Sequence, residues 1–72
     1  MNENVNYFFK KAYETPEGTF KEGSEFRFFR GMCYFNGGMV SKYYADMLVD
    51  ILKNSKLKAE YIKEEPIIYN KV

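Results

Sequence analysis

The chain has 72 residues, which is enough for one small domain but not for a second fold or a separate cofactor module. Eleven Lys and Arg residues against ten Asp and Glu residues leave a formal charge of +1, so the charge indicates neither a strongly basic nucleic-acid binder nor an acidic tail. Hydrophobic residues make up 46% of the chain, which argues against intrinsic disorder.

The residue types that most catalytic chemistry needs are missing. Histidine is absent, so neither a Ser-His-Asp triad nor a Cys-His pair can form, and no imidazole can act as an acid or base near neutral pH. Cys33 is the only cysteine, which excludes an internal disulfide and, without histidine, a structural zinc site in one chain. We therefore expect a non-enzymatic protein with no catalytic residue, no metal and no cofactor, in which Cys33 fills the core.

Targeting and membrane signals are also missing from the sequence. Residues 1–6 are polar and lack the charged-then-apolar layout of a signal peptide. Apolar runs such as Met47-Leu48-Val49 are far shorter than the roughly 20 residues that cross a bilayer. The sequence therefore predicts a cytoplasmic protein that does not enter membranes.

Aromatic residues are unusually abundant: seven Tyr and seven Phe make up 19% of the chain. One small core seldom supplies more than about 3–5 kcal/mol of stability, and this chain has neither a disulfide nor a metal to add to it. We therefore expect efficient aromatic packing together with self-association. A homodimer is favoured, because two-fold dimers are the commonest oligomers.

The first predicted element is a strand over residues 5–13, in which Tyr7 and Phe9 fall on one face. Thr15-Pro16-Glu17-Gly18 is typical of a turn, because proline presets φ at the second position and glycine accepts a positive φ at the fourth. Residues 19–21 are then a short return strand.

Two more strands follow, over residues 25–30 and 32–35, with Gly31 between them as a turn or bulge. Asn36-Gly37 is the strongest short hairpin signal that a sequence can carry. The first part of the chain is therefore predicted to be a meander of short antiparallel strands.

A helix is predicted over residues 42–53, with Ser41 as the N-cap and Asn54 placed to end it. Its apolar arc is about twice the width of roughly 100° that a surface helix needs. One side of the arc can pack on the sheet of the same chain. The other side needs cover from the C-terminal segment or from a second subunit.

Residues 58–63 are consistent with either a strand or a short helical turn, Pro66 interrupts this segment, and Ile67-Ile68-Tyr69 is a candidate edge strand. The order of elements predicts an α+β fold in one domain, residues 1–72. It would have a small antiparallel sheet of four to five short strands, an N-terminal meander, one amphipathic helix at about 41–54 and a C-terminal strand.

A first candidate anion site is the glycine loop that leads into the helix. Gly37 and Gly38 allow backbone N–H groups to converge, and the helix start at Ser41 adds free donors, to which Lys42 adds a charge. This would suit a phosphate or a carboxylate. The simpler interpretation is a plain hairpin turn followed by a plain N-cap, since the spacing matches no nucleotide-binding motif.

A second candidate site combines Arg27 and Arg30 with aromatic residues such as Tyr34. Aromatic faces stack on bases and guanidinium groups pair with phosphates, so this pattern suits a nucleotide or a single strand. The balanced charge disfavours nucleic acid, and core packing with solvent-reaching arginines explains the same residues.

The aromatic surplus predicts an interface, because tyrosine is enriched where one end of a side chain is apolar and the other is wet. The candidate interface residues are Tyr7, Phe9, Phe29, Tyr43, Met47 and Val49.

Three function classes remain. The leading one is a homo-oligomeric protein-interaction inhibitor or adaptor with a protein partner. The alternative is a protein that binds or sequesters a nucleotide or another phosphorylated ligand, and the third is a single-stranded nucleic-acid binder. The composition of the chain, which is short and rich in Asn, Lys, Ile, Tyr and Phe, resembles that of accessory proteins of bacteriophages that infect low-GC bacteria. This resemblance implies that the protein acts against a host system.

Overall fold

A computed structural model describes residues 3–67 of the chain. Within this range the backbone forms seven strands and two helices. In chain order these are β1 (Val5–Phe9), β2 (Tyr13–Thr15), β3 (Gly18–Phe20), β4 (Glu25–Phe29), β5 (Met32–Phe35), β6 (Gly38–Met39), α1 (Lys42–Lys53), α2 (Ser55–Tyr61) and β7 (Ile62–Pro66).

Five of the strands form one antiparallel sheet in the order β6-β5-β4-β1-β7, and β2 pairs with β3 in a separate hairpin. β1 lies between β4 and the C-terminal strand, so that Tyr7 is opposite Phe26 on one side and Glu64 on the other. The predicted α+β class, with a small antiparallel sheet and a C-terminal strand, is confirmed.

The predicted strand over residues 5–13 is wrong in its extent, because β1 ends at Phe9 and β2 begins at Tyr13. At Phe9 the backbone bonds to the link before β4: its N–H donates to Ser24 and its carbonyl accepts from Gly23. The chain then turns away from the sheet. The hairpin that follows packs Phe20 against Phe9.

Two tight turns connect β4, β5 and β6. Arg30-Gly31 and Asn36-Gly37 both place two successive residues at positive φ, between 50° and 83°, which is the geometry of type I′ turns. The hairpin predicted at Asn36-Gly37 is confirmed, and Gly31 lies in a turn and not a bulge. Arg30, predicted as the last strand residue, is the first central residue of its turn.

α1 has the predicted bounds, and Asn54 ends it through backbone N–H bonds to Asp50 and Ile51. Ser41 lies at the N-cap, but its hydroxyl makes no capping hydrogen bond. Asn54 also begins α2, since its side-chain oxygen accepts from the N–H groups of Lys56 and Leu57.

The C-terminal segment combines the two alternatives left open by the sequence, because residues 58–61 belong to α2 and β7 begins at Ile62. β7 is the edge strand of the sheet. The edge strand expected at Ile67-Ile68-Tyr69 is not formed at Ile67, and Ile68 and Tyr69 lie outside the described residues.

The core lies between one face of the sheet, here called the inner face, and the layer made by the two helices and the hairpin. The core cluster consists of Tyr7, Phe9, Phe26, Phe28, Cys33, Leu48, Ile51 and Ile62. The hairpin contributes Tyr13 and Phe20, and α2 contributes Leu57 and Tyr61, all of which pack against this cluster. Neither helix in the described part of the chain is long and apolar enough to cross a membrane.

Candidate binding surface on the outer face of the sheet

The outer face of the sheet carries a group of large side chains that alternate away from the core. Strand residues point to opposite faces in turn, and in β4 Phe26 and Phe28 are buried while their neighbours are half-buried. We call this group the outer-face patch: Phe8, Arg27, Phe29, Met32, Tyr34 and Met39. None of its aromatic residues packs against the core cluster.

The register of the strands brings the patch residues together. Arg27 is opposite Tyr34, and Tyr34 is in turn opposite Met39. Phe29 is opposite Met32 in the next row. Directly opposed residues share a face and lie about 4.5–5.5 Å apart at Cβ. The four patch residues of β4 and β5 therefore form a continuous surface: Arg27, Phe29, Met32 and Tyr34.

Two guanidinium groups lie close to the ring of Phe29. The Cζ atoms of Arg27 and Arg30 are 5.4 Å and 5.1 Å from the centre of its ring. Both distances fall within the roughly 6 Å over which a cation is attracted to an aromatic face. The ring therefore orients two positive charges on one part of the surface.

Neither arginine forms an ion pair within residues 3–67. The cations that do so in this range are lysines, in the pairs Lys11–Glu60, Lys42–Asp46, Lys58–Glu64 and Lys63–Glu65. Arg27 Nε is moreover the single buried side-chain nitrogen or oxygen in the described residues that has no hydrogen-bond partner. A buried donor without a partner is costly, which marks the position of the Arg27 side chain as one that packing on Phe29 has to stabilise.

An open depression of about 440 Å³ lies over this cluster and is lined by Arg27, Phe29, Tyr34 and Gly37. A second depression of about 240 Å³ shares three of these residues and adds Asn6 and Glu25. The structure thus brings together three of the predicted ligand residues, Arg27, Tyr34 and Gly37. It places Arg30 next to them through Phe29.

The predicted glycine-loop site is not assembled as expected. Lys42 lies at the start of α1, forms an ion pair with Asp46 at 2.9 Å, and lines a different cavity with Cys33 and Val49. Gly37 lines the depressions on the outer face instead. Gly38 lies in β6 and Ser41 makes no side-chain cap, so the four predicted residues do not surround one ligand position.

The predicted interface set divides into four groups. Tyr7 and Phe9 are 5% and 1% exposed in the core of their own chain, so we remove them from the interface. Val49 is half-buried against that core. Phe29 belongs to the outer-face patch, whereas Tyr43 and Met47 lie on α1.

Tyr43 is 55% exposed, and its hydroxyl donates to Glu17 Oε1 at 2.7 Å. Its ring meets that of Tyr44 edge to face, with centroids 5.5 Å apart. Met47 is half-buried but does not pack against the core cluster. These three residues form a second exposed strip, on the helical side of the molecule.

Sequence reasoning missed Phe8, Met32 and Met39 as members of the patch. The signal was present for the two methionines, because the two-residue turns at Arg30-Gly31 and Asn36-Gly37 set which residues oppose Phe29 and Tyr34. For Phe8, the alternation shows only that it lies on the face opposite Tyr7 and Phe9, and not which of the two faces is the outer one.

Two further features of the described residues bear on their chemistry: the state of the Cys33 thiol and the placement of the acidic side chains. Burial raises the pKa of the Cys33 thiol to about 11, so the sulfur is protonated and a poor nucleophile at neutral pH. Residues 3–67 contain no group of three or more His, Cys, Asp or Glu side chains that would hold a metal ion.

The sheet edges are poor docking sites. β6 has only two residues, and β7 presents Lys63, Glu64 and Glu65 before Pro66. Short edge strands, charged side chains and proline are the features that prevent edge-to-edge pairing. Among the surfaces of the sheet, the outer face is therefore the one that these features leave open to a partner.

No protein family, curated protein or solved structure matches this chain.

Proposed function

We propose that the protein is a non-enzymatic protein-interaction module, an inhibitor or adaptor in the cytoplasm that covers a surface of a larger protein with its outer-face patch. The observation that carries this proposal is the position of Phe8, Phe29 and Tyr34. All three are half-buried on a sheet face opposite both helices and the hairpin.

The composition of the patch supports a protein partner. Aromatic residues, methionine and arginine are enriched at the centres of protein interfaces, while Lys, Glu and Asp are depleted there. The patch consists of three aromatic residues, two methionines and one arginine. A standard interface buries about 800 Å² on each partner, roughly a seventh of the 5251 Å² surface of this chain.

The test compares capture of cellular proteins by immobilised wild-type protein and by two variants. Phe29→Ser removes an aromatic residue from the patch, and Lys56→Ser changes an exposed residue of α2, outside both the patch and the helical strip, as a control. We expect a defined protein to be retained by the wild type and by Lys56→Ser and to be lost with Phe29→Ser. Identical capture by all three, with circular dichroism showing each to be folded, would overturn the proposal.

Self-association belongs to the same proposal, and the strip of Tyr43, Tyr44 and Met47 supports it. The outer-face patch contains Arg27 and has Arg30 beside it, so it would meet its own positive charge across a two-fold axis, and the helical strip is the better surface for a homodimer. Native mass spectrometry of the wild type and of Tyr43→Ala tests this. A dimer that Tyr43→Ala dissociates supports it, and a wild-type monomer contradicts it.

Nucleotide binding is the second candidate function, favoured by the depression that Arg27, Tyr34 and Gly37 line. Its volume of about 440 Å³ lies within the range of ligand pockets, about 300–1,000 Å³. A protein partner is preferred because the depression is open along the sheet, whereas small-ligand pockets enclose most of their ligand. Purified protein that absorbs at 260 nm and loses this absorbance on refolding would favour the nucleotide.

A further inference from the structure

The two arginines of the chain share one placement. Both lie against one ring, that of Phe29, and neither forms an ion pair within residues 3–67. Arginine presents a planar group of donors that matches carboxylates with two parallel hydrogen bonds. Two unpaired guanidinium groups beside an apolar ring therefore form a recognition element for acidic groups.

The backbone at Arg30 supports a binding role. Its φ of 51° lies in the left-handed region, at the first central position of a type I′ turn, where Asn, Asp or Gly is strongly preferred. Its N–H donates to Glu3 Oε2, so this carboxylate is bound to the backbone. Asn, Asp or Gly would fit this turn with less strain than arginine. Strained residues of this kind are concentrated at sites where the side chain is needed for function.

Charge decides between the possible occupants of the surface. A second copy of the chain would offer Glu25 and Glu65 on the same face, but Glu65 is already paired with Lys63, and the copy would add two arginines of its own. A nucleic acid requires several cations along its backbone, but Lys63 on this sheet is already paired with Glu65. Two neighbouring carboxylates on a protein segment match the two guanidinium groups.

We propose that Arg27 and Arg30 bind two neighbouring carboxylates of an acidic segment of the partner protein, and that Phe29 and Tyr34 receive the apolar side chain next to them. In an extended segment, residues i, i+2 and i+4 share a face, with about 7 Å between neighbours on that face. Two acidic residues at i and i+2 and an apolar residue at i+4 therefore present both carboxylates and the apolar side chain to one surface, on the scale of the Phe29 ring with its two guanidinium groups. This inference rests on the proposed function and names the chemistry of its partner.

The experiment is a titration of uniformly ¹⁵N-labelled full-length protein, followed through the arginine Nε–H signals and the backbone amide signals. The probes are the blocked peptide Gly-Glu-Gly-Glu-Gly-Leu-Gly, its twin Gly-Gln-Gly-Gln-Gly-Leu-Gly, and adenosine monophosphate. We expect the Glu peptide to shift the Nε–H signals of Arg27 and Arg30 and the amide of Tyr34. The Gln twin should shift none of them, and the shifts of the Glu peptide should shrink as salt is added.

Variants distinguish a specific role of the two arginines in binding the Glu peptide from a general effect of positive charge. Arg27→Gln and Arg30→Gln should each weaken binding of the Glu peptide by about tenfold or more. Arg27→Lys, which keeps the charge and the fold, should also weaken it, because an ammonium group lacks the paired donors of a guanidinium. Lys21→Gln removes one positive charge from outside the patch and should change binding by no more than about twofold.

Three results would overturn the inference: equal shifts with the Gln twin, no shifts with either peptide, or tighter binding of adenosine monophosphate than of the Glu peptide. The capture experiment distinguishes failure of this inference from failure of the proposed function. If a captured protein is lost with Phe29→Ser but is retained by Arg27→Gln and Arg30→Gln, the interaction module stands and the acidic segment is wrong. If Phe29→Ser loses no protein, the proposed function itself fails.

Discussion

The rings of Phe9 and Phe20 stack in parallel, with their centroids 5.2 Å apart and their planes at 4° to each other. This stack connects the β2–β3 hairpin to the main sheet, with which the hairpin shares no strand pairing. Tyr13 adds a second stack on Phe9, with a centroid distance of 6.4 Å. The hairpin is therefore attached to the sheet largely by aromatic side chains.

Phe20→Ala is expected to lower the free energy of unfolding by about 2–4 kcal/mol, since truncating a buried phenylalanine typically costs about 3–5 kcal/mol and Phe20 is half-buried. Phe29→Ala is the matched control, because Phe29 is also half-buried but lies on the outer face. It should cost only about 1 kcal/mol or less, the range of a cross-strand pair. Urea denaturation of both variants measures the difference, and equal losses would mean that the outer face is part of the core.

The two sides of α1 should respond differently to truncation. Leu48 is fully buried in the core cluster, so Leu48→Ala is expected to cost about 2–5 kcal/mol of stability. Tyr43 is exposed, so Tyr43→Ala should cost less than about 1 kcal/mol and should act on self-association instead. Val49→Asp is a poorer probe of assembly than the sequence indicated, because Val49 packs against the core of its own chain.

The comparison of Leu48→Ala with Tyr43→Ala requires both unfolding curves and native mass spectra at several protein concentrations. A large loss of stability in Tyr43→Ala at concentrations where the protein is monomeric would contradict the assignment of this side chain to the surface. Tyr43→Phe is a further control, since it keeps the ring and removes only the hydrogen bond to Glu17.

Elements governed by local chemistry could be predicted from the sequence. Asn36-Gly37 prescribes a two-residue hairpin through its backbone preferences, and the periodicity of residues 42–53 and the position of Asn54 define α1. These signals depend on residues within a few positions of one another. They need no knowledge of the rest of the fold.

Features that depend on distant pairing could not be predicted. The alternation in β1 separates Phe8 from Tyr7 and Phe9, but it does not say which set faces the core. That choice depends on β1 pairing with the C-terminal strand and on the hairpin folding over Phe9. Tyr7 and Phe9 were therefore assigned to an interface, and the patch that includes Phe8 was recognised only in part.

Stability and binding should change in opposite directions at Arg30. Arg30→Asn replaces an arginine at φ 51° with the residue preferred in this turn, which relieves about 1 kcal/mol of strain at the cost of an exposed cation–π contact of about 0.5–1 kcal/mol. We expect a net gain of up to about 0.5 kcal/mol, or a rise of about 2–4 °C in Tm. Binding of the Glu peptide should weaken in the same variant.

Asn36→Arg is the reciprocal control for this prediction. It places arginine in the second turn of the same type and also removes the hydrogen bond from the Glu25 N–H to the Asn36 side chain, so it should destabilise the protein by about 1–2 kcal/mol. Scanning calorimetry measures both variants. A fall in Tm for Arg30→Asn would show that Arg30 is kept for stability and would remove the turn geometry as support for a binding site.

The free energy of unfolding should fall at alkaline pH because the buried thiol of Cys33 ionises. Burial raises the pKa of its thiol from 9.0 to about 11, so the folded state keeps a proton that the unfolded state has already lost between these values. The stabilisation by the protonated thiol is therefore fully present below about pH 9 and is lost as the pH rises towards 11. Each pKa unit corresponds to about 1.4 kcal/mol, so the loss across this range is on the order of 3 kcal/mol.

Urea denaturation at intervals from pH 7.5 to about 11, with Cys33→Ala as the matched variant, isolates this contribution from tyrosines and lysines that titrate in the same range. The variant should be less stable than the wild type at pH 7.5, because it leaves space in the core, and the difference should narrow as the pH rises. A difference that stays constant with pH would mean that the thiol ionises as readily in the folded protein as in the unfolded chain. Cys33 would then be open to solvent, contrary to its 3% exposure.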